Sequence, residues 1–122
     1  MISEPGQGTI PAPVFILVRP QLAENVGTAA RAMMNCRIDE MRLVDPDEDH
    51  LCDRAVAASS GAGEILRHAK VFGSVKEAVS DLQKVYATTG RPRDMIKPVL
   101  TGQGMAKEIQ AGRLQGIKYG VL

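Results

Sequence analysis

The sequence has few aromatic residues, no tryptophan and only two cysteines. Aromatic residues make up 3% of the 122 residues, so a core has to be built from the aliphatic residues, alanine and methionine that dominate its 44% hydrophobic content. Cys36 and Cys52 are too few, and too unpatterned, for a disulfide framework or a zinc site. These absences predict a reduced protein without a bound metal, with the cytoplasm as the default location.

Long hydrophobic runs and glycine-rich nucleotide fingerprints are also missing. No apolar run approaches the roughly 20 residues that cross a bilayer, and the N-terminal residues lack a signal-peptide pattern. No G-x-G-x-x-G motif follows the first apolar segment, which argues against dinucleotide binding. The length suits a single domain with its own core.

Short apolar segments of strand type alternate with helical patterns along the chain. Residues 1–13, rich in glycine and proline, predict a flexible leader, and residues 14–122 predict one α/β domain with a Rossmann-like, mostly parallel sheet flanked by helices. The predicted strands are 14–18, 41–44, 71–72, 84–88 and 119–122, and the predicted helices are 25–36, 54–59, 64–68, one capped by Ser74, and 105–111.

Charge is distributed unevenly between the two halves. Residues 1–61 carry nine acidic and five basic residues, a balance of −4, whereas residues 62–122 carry five acidic and ten basic residues, a balance of +5. Lys84, Arg91, Arg93 and Lys97 surround one predicted strand end. This basic patch could bind phosphates, or it could be an ordinary solvated surface.

The most informative segment is residues 14–36. A buried strand, 14–18, leads through a polar loop into a helix whose apolar stripe is Val26, Ala29, Ala30 and Met33. The spacing places Gly27, Thr28 and Arg31 on a different flank of that helix. An arginine on the first turns of a helix that follows a buried parallel strand lies at the sheet edge where ligands bind, although a plain surface arginine would give the same pattern.

Two neighbours of Arg31 allow more than one interpretation. Asn25 suits a helix N-cap, whose side chain accepts a backbone N–H. Gly27 permits close backbone approach, either by a phosphate at the helix N-terminus or by a neighbouring element. A second candidate site begins with Thr88, Thr89 and Gly90 at the end of a predicted strand, where a tight turn could face a ligand or could simply be solvated.

These segments together resemble a known enzyme family. The sequence is similar to the first motif of the SpoU/TrmH branch of the SPOUT RNA methyltransferases in three consecutive segments. These are the predicted strand 14–18, residues 25–33 with Asn-Val-Gly followed by Arg-Ala-Met, and the Met-Arg-Leu-Val-Asp-Pro that comes after them. Residues 57–66 (AASSGAGEIL) and 85–94 (VYATTGRPRD) fit its TrmJ-like subgroup. The resemblance implies methylation of a ribose 2′-hydroxyl in RNA, and in the tRNA anticodon loop for that subgroup, with S-adenosylmethionine as methyl donor. A homodimer is also implied.

The resemblance also assigns roles to residues. It makes Arg31 the catalytic residue, with Asn25 orienting it or contacting the RNA, and it makes Thr88, Thr89 and Gly90 cofactor contacts. Arg31, Arg91 and Arg93 would bind RNA, since a guanidinium can donate two hydrogen bonds to a phosphate. An arginine side chain stays protonated in proteins, so Arg31 would act by stabilising the developing alkoxide and anchoring the neighbouring phosphate rather than as a simple base.

The family's later motifs, of the types Phe-Gly-x-Glu-x-x-Gly-Leu and Ser-Leu-Asn-x-x-x-Ala, are not found in residues 1–122. The expected fold is therefore of the SPOUT type without its C-terminal trefoil-knot segment, and activity of these 122 residues alone is in question. Two other classes stay open: a non-catalytic RNA-binding or dimerisation fragment, and a flavodoxin-like nucleotide-binding protein.

Overall fold

The computed structural model describes residues 12–88 and 102–122, and within them five strands form one sheet. The predicted α/β class is confirmed. The strands are β1 (Val14–Val18), β2 (Met41–Val44), β3 (Lys70–Phe72), β4 (Lys84–Tyr86) and β5 (Tyr119–Val121). The helices are α1 (Ala23–Asn35), α2 (Asp53–Ser59), α3 (Gly63–His68), α4 (Val75–Ala78) and α5 (Gly102–Leu114).

The strand order is β3-β2-β1-β5-β4, and every pairing between neighbours is parallel. From β1 the chain proceeds to one side through β2 to β3, and then returns to the other side of β1 to form β4 and β5. A flavodoxin-like sheet has the order 2-1-3-4-5, so the flavodoxin-like alternative is wrong about the fold. The direction of strand addition reverses between β1 and β5, which makes the carboxyl ends of these two strands the topological switch point.

Helices cover both faces of the sheet. On one face, Val26, Ala30 and Met33 of α1 lie in a core shared with α2, α3 and the neighbouring strands, and this confirms the predicted apolar stripe. A smaller core on the other face joins Val14 and Ile16 to α4. Alternation along β1 explains the two cores, because successive side chains of a strand point to opposite faces.

The boundaries predicted for β1 and β2 are exact, and those of most other elements differ by one to three residues at one or both ends. The first helix begins at Ala23 and ends at Asn35, whereas the sequence pattern predicts 25–36. The last helix, Gly102–Leu114, is longer than the predicted 105–111. The predicted cap at Ser74 is confirmed, since its hydroxyl accepts a hydrogen bond from the Glu77 backbone N–H at 3.2 Å.

On the second face of the sheet, the buried arginine of β2 links the strand to α4 and to the residues after that helix. Arg42 donates to Asp81 at 2.6 and 3.0 Å, to Glu40 at 2.7 and 3.1 Å and to the Ala78 carbonyl at 2.6 Å. Its guanidinium carbon also lies 5.8 Å from the centre of the Phe72 ring. These bonds satisfy the charge that burial on a central strand would otherwise leave uncompensated.

The predicted leader, residues 1–13, and the domain boundary at residue 14 stay predictions, since residues 1–11 lie outside the described part of the chain. Cys36 and Cys52 are both free thiols. Among the described helices, none has both the length and the apolar character needed to cross a membrane.

Candidate active site

A concavity of about 470 Å³ opens at the switch point. The ends of β1 and β5 form part of its wall through Leu17, Val18 and Leu122, and Thr88 and Val75 line it from the β4 and α4 sides. Among the residues that the structure describes, the lining is largely aliphatic and includes no charged side chain. Ligand pockets are typically concave and mostly apolar, with a few polar groups for orientation.

Two hydrogen bonds from Thr88 join the ends of β4 and β5 in the wall of this concavity. The backbone N–H of Thr88 donates to the Leu122 carbonyl at 3.0 Å, and its hydroxyl donates to the same oxygen at 2.7 Å. The β4–β5 ladder therefore continues past Tyr86, where β4 ends, to Thr88. Because the hydroxyl proton is engaged, the Thr88 side chain can offer a ligand only acceptor lone pairs.

Thr89, Gly90, Arg91 and Arg93 lie outside the described residues. Their predicted roles in binding cofactor and RNA, and the predicted basic patch that includes Lys97, stay predictions.

Two adjacent strands end in left-handed residues at the edge that holds the concavity. Arg19, with φ 48°, follows β1, and Asp45, with φ 46°, follows β2. The Arg19 N–H donates to the Val44 carbonyl at 2.7 Å, and the Asp45 N–H donates to the Phe72 carbonyl at 2.9 Å. Each strand thus makes one more ladder bond before the backbone turns away from the sheet, at a cost of about 1–2 kcal/mol for a non-glycine residue.

The start of α1 corrects the predicted cap. Leu22, not Asn25, occupies the N-cap position and makes no side-chain cap, and Asn25 is an exposed residue of the first helical turn. A residue distant in sequence caps the helix instead, since the Ala23 N–H donates to Glu48 Oε1 at 2.7 Å. Local spacing could not identify this cap because the carboxylate comes from the loop between β2 and α2.

Gly27 also differs from its predicted place on the exposed flank of α1. It is buried against α2, and a Cβ atom there would lie 2.9 Å from the Ala58 Cβ and 3.0 Å from the Ser59 nitrogen. Of the two interpretations of this glycine, close approach by a neighbouring element is therefore correct. The flank prediction holds for Thr28 and Arg31, which are both exposed.

Arg31 lies further along the helix than predicted. Since α1 begins at Ala23, Arg31 is on the third turn rather than the first turns, about 12 Å along the axis from the helix start at 1.5 Å per residue. Within the described residues its guanidinium has no hydrogen-bond or ion-pair partner. By contrast, Arg54 of α2 is paired with Glu48 and, at 3.5 Å, with Glu24. Arg31 is thus exposed and available to an anion.

Sequence reasoning missed Glu48 and Arg54. The Arg54 hydrogen bond is the largest of the effects that hold the pKa of the Glu48 carboxyl below its usual range, and the bond from the Ala23 N–H adds to it. Within residues 12–88 and 102–122, no group of three or more His, Cys, Asp or Glu residues is placed to hold a metal ion.

A comparison with protein-family models matches residues 12–107 to the SpoU rRNA Methylase family. The chain belongs to this family. The resemblance drawn from the first motif is thereby confirmed.

Individual relatives in the SpoU family agree with the assignment. Over 79 residues the chain is 40% identical to the uncharacterized tRNA/rRNA methyltransferase LasT of Escherichia coli K12. This alignment covers 65% of the chain and 34% of the relative. The chain is 36% identical over 97 residues, 77% of its length and 42% of the relative's, to the tRNA (cytidine-2′-O-)-methyltransferase TrmJ of Methanocaldococcus jannaschii.

Among solved structures, TrmJ from Z. mobilis ZM4 superposes with a TM-score of 0.84 at 47% identity, covering 91% of this chain and 48% of that one. The chain therefore spans less than half the length of these relatives. Its match to them establishes the family and the fold of the part that aligns.

Proposed function

We propose that this chain is part of an S-adenosylmethionine-dependent 2′-O-methyltransferase that acts on the ribose of RNA, with tRNA as the substrate. The observation that carries the proposal is the apolar concavity at the switch point, in a chain matched by an RNA methylase family over residues 12–107. Curated relatives named as tRNA 2′-O-methyltransferases support tRNA over other RNA. Such a substrate is consistent with a cytoplasmic protein.

The concavity suits the proposed cofactor. A nucleoside offers flat apolar faces that aliphatic side chains can enclose, and a sulfonium centre carries a positive charge that nearby cations would repel. Within residues 12–88 and 102–122, the lining of the concavity is aliphatic apart from Thr88 and includes no lysine or arginine. We assign Thr88, Thr89 and Gly90 to cofactor binding, with Thr88 positioned by its bonds to Leu122.

Arg31 is the proposed catalytic residue. When bound, the cofactor supplies an electrophilic methyl group, so what the protein has to do is orient the ribose hydroxyl and stabilise the negative charge that develops as its proton leaves. An exposed guanidinium that has no partner among the described residues can donate hydrogen bonds to that oxygen and to the adjacent phosphate. Arg91 and Arg93 would extend the contact to further phosphates.

Asn25 is better suited to contacting the RNA than to orienting Arg31. Residues on one helix are neighbours at spacings of three and four, and Asn25 and Arg31 are six residues apart. Asn25 is exposed and makes no cap within its own helix. Its amide is therefore available to an RNA group approaching the helix start.

A homodimer forms part of the proposal. Large aliphatic side chains are exposed around the carboxyl edge of the sheet, including Val18 at 39% exposure and Leu22 at 51%. A second copy could cover them. Light scattering over a dilution series of the full-length gene product tests this, and a monomer at every concentration would contradict it.

The function is tested by methyl transfer. The full-length gene product is incubated with tRNA and S-adenosylmethionine, and the digested RNA is searched for 2′-O-methylated nucleosides by mass spectrometry. The matched control is the same RNA with a 2′-deoxy residue at the modified position, which should accept no methyl group. Binding of tRNA without transfer would favour the non-catalytic RNA-binding alternative.

Calorimetric titration of S-adenosylmethionine into the 122-residue chain, beside the full-length gene product, then shows whether these residues suffice for cofactor binding. We expect binding by the full-length product. Binding of a mononucleotide in place of S-adenosylmethionine would contradict the cofactor assignment.

A further inference from the structure

The loop between β2 and α2 holds the start of α1 at two points. The Asp47 N–H donates to the Pro20 carbonyl at 3.0 Å, and Glu48 Oε1 accepts the Ala23 N–H at 2.7 Å. The chain leading into α1 and the first residue of α1 are therefore both attached to one short loop. Leu22, at the N-cap, contributes no side-chain cap of its own.

Glu48 is itself held in place from α2. Arg54 donates to Glu48 Oε2, while Oε1 remains on Ala23, so the two carboxylate oxygens connect two helices. A second guanidinium nitrogen of Arg54 lies 3.5 Å from a Glu24 carboxylate oxygen on α1. The bonds to Ala23 and Arg54 thus fix the orientation of the Glu48 side chain that caps α1.

The contact of α1 with α2 restrains further movements of α1. Gly27 is so close to α2 that a Cβ atom would lie 3.0 Å from the Ser59 nitrogen. This contact opposes rotation of α1 about its axis and closer approach to α2, whereas the Glu48 bond opposes sliding along the axis. Arg31 comes one helical turn after Gly27, so both constraints determine where its backbone, and hence the base of its side chain, lies.

We propose that Glu48 is a positioning residue for Arg31: by capping Ala23 from the β2–α2 loop, it sets the axial position of the helix that carries the arginine. The inference rests on the proposed function, since it assigns Arg31 a catalytic task. A displacement of about 1 Å in a catalytic group can cost about a hundredfold in rate, so a small slip of α1 is enough to be measured.

Three variants of Glu48 separate the effect of side-chain length from the effect of charge. Glu48→Ala removes the cap, Glu48→Gln keeps an oxygen acceptor without the charge, and Glu48→Asp keeps the charge but shortens the side chain. Asp49→Ala is the matched control, because Asp49 Oδ1 also accepts a backbone N–H, from Leu51 at 3.0 Å in the same loop, but makes no bond to α1.

In the full-length gene product, well below the melting temperature, we expect Glu48→Ala and Glu48→Asp to lower kcat about tenfold or more. The KM values for tRNA and for S-adenosylmethionine should stay within about twofold. Glu48→Gln should recover most of the rate, Asp49→Ala should match the wild type, and amide hydrogen exchange should accelerate at Ala23 in the Ala and Asp variants of Glu48.

An unchanged kcat in both Glu48→Ala and Glu48→Asp, with active wild type, would overturn the positioning role and leave the proposed function intact. A loss of rate in Asp49→Ala equal to that in Glu48→Ala would also overturn it, because loosening of the loop would then explain both. A wild type that binds tRNA and transfers no methyl group would overturn the proposed function, and the positioning role with it. The Glu48→Asp variant keeps the test decisive if Glu48→Ala does not fold.

Discussion

The backbone of Gly27 on α1 lies directly against the carbonyl oxygen of Ala55 on α2, with no room between them for a side chain. The contact brings together the helix that carries Arg31 and the helix that carries Arg54. It gives a structural reason for the glycine in the Asn-Val-Gly motif.

We expect Gly27→Ala to destabilise the chain by about 1–3 kcal/mol, the usual cost of overfilling a well-packed contact. Alanine favours a helix over glycine by about 1 kcal/mol, but this gain should not offset the clash with backbone atoms of α2. Urea unfolding measures the difference. Gly63→Ala is the control, since the nearest atom to a Cβ there is the end of the flexible Arg67 side chain at 3.3 Å, and a cost equal to that of Gly27→Ala would contradict the explanation.

Arg31→Ala in the full-length gene product should lower kcat for methyl transfer at least about a hundredfold while the melting temperature changes little. The guanidinium is exposed and without a partner in the described residues, so folding does not depend on it. Loss of one group that stabilises developing charge commonly costs this much. Arg31→Lys should retain part of the rate, because the charge remains but the paired hydrogen bonds do not.

Arg37→Ala is the matched control for Arg31. Arg37 is also exposed and lies just beyond the end of α1, toward the opposite edge of the sheet. We expect near-normal turnover from it. Near-normal turnover from Arg31→Ala would refute the catalytic assignment.

The ion pair between Asp81 and Arg42 should make stability depend on acid. The hydrogen bond from Arg42 lowers the pKa of Asp81 to about 2. A carboxyl whose pKa is depressed in the folded state contributes stability fully above its unfolded pKa of about 3.9 and loses it as the pH falls toward the folded value. The urea midpoint of the wild type should therefore exceed that of Asp81→Asn above about pH 4.5, and the two should converge as the pH approaches 2.

An Arg42→Met background provides the control for that comparison. Methionine fills similar buried space without a charge, so Asp81→Asn should then change the midpoint little at any pH. A gap between wild type and Asp81→Asn that stays constant from pH 6 to pH 2 would rule out the ion pair as its source.

Tyr86 should attach α5 to the edge of the sheet. Its hydroxyl donates to a carboxylate oxygen of Glu108, and its ring stacks on Tyr119 with centres 6.0 Å apart. The bond to Glu108 is the main cause that raises the pKa of Tyr86 to about 12. We expect Tyr86→Phe to cost about 0.5–1.5 kcal/mol in urea unfolding, since the ring stays and only the hydrogen bond is lost.

A double-mutant cycle with Glu108→Ala, which removes the acceptor oxygen, tests this interpretation of Tyr86. If the tyrosine and the glutamate act as a pair, the double variant should lose less than the sum of the single losses. Strictly additive losses would show that the bond contributes nothing to the attachment of α5.

Several parts of the fold and site could be predicted because their causes are local. The apolar stripe of α1, the strand β1 and the Ser74 cap depend on residues within a few positions of one another. The motif around Asn25 and Arg31 identified the family for the same reason, since its spacing is contained in one strand, loop and helix. The start of α1 was less accurate because the Ala23 N–H is capped by Glu48 from a distant loop and not by a local side chain.

Local sequence by itself determined the strands, the helices and the family, because periodicity and motif spacing are properties of short segments. Tertiary structure alone decided the strand order that puts β5 beside β1, the burial of Gly27 and the capping of Ala23 by Glu48. Each of these joins residues far apart in the chain. A glutamate in a loop carries no local sign of the amide it will accept, because that partner is chosen only when β2 pairs with β1 and brings the loop to the start of α1.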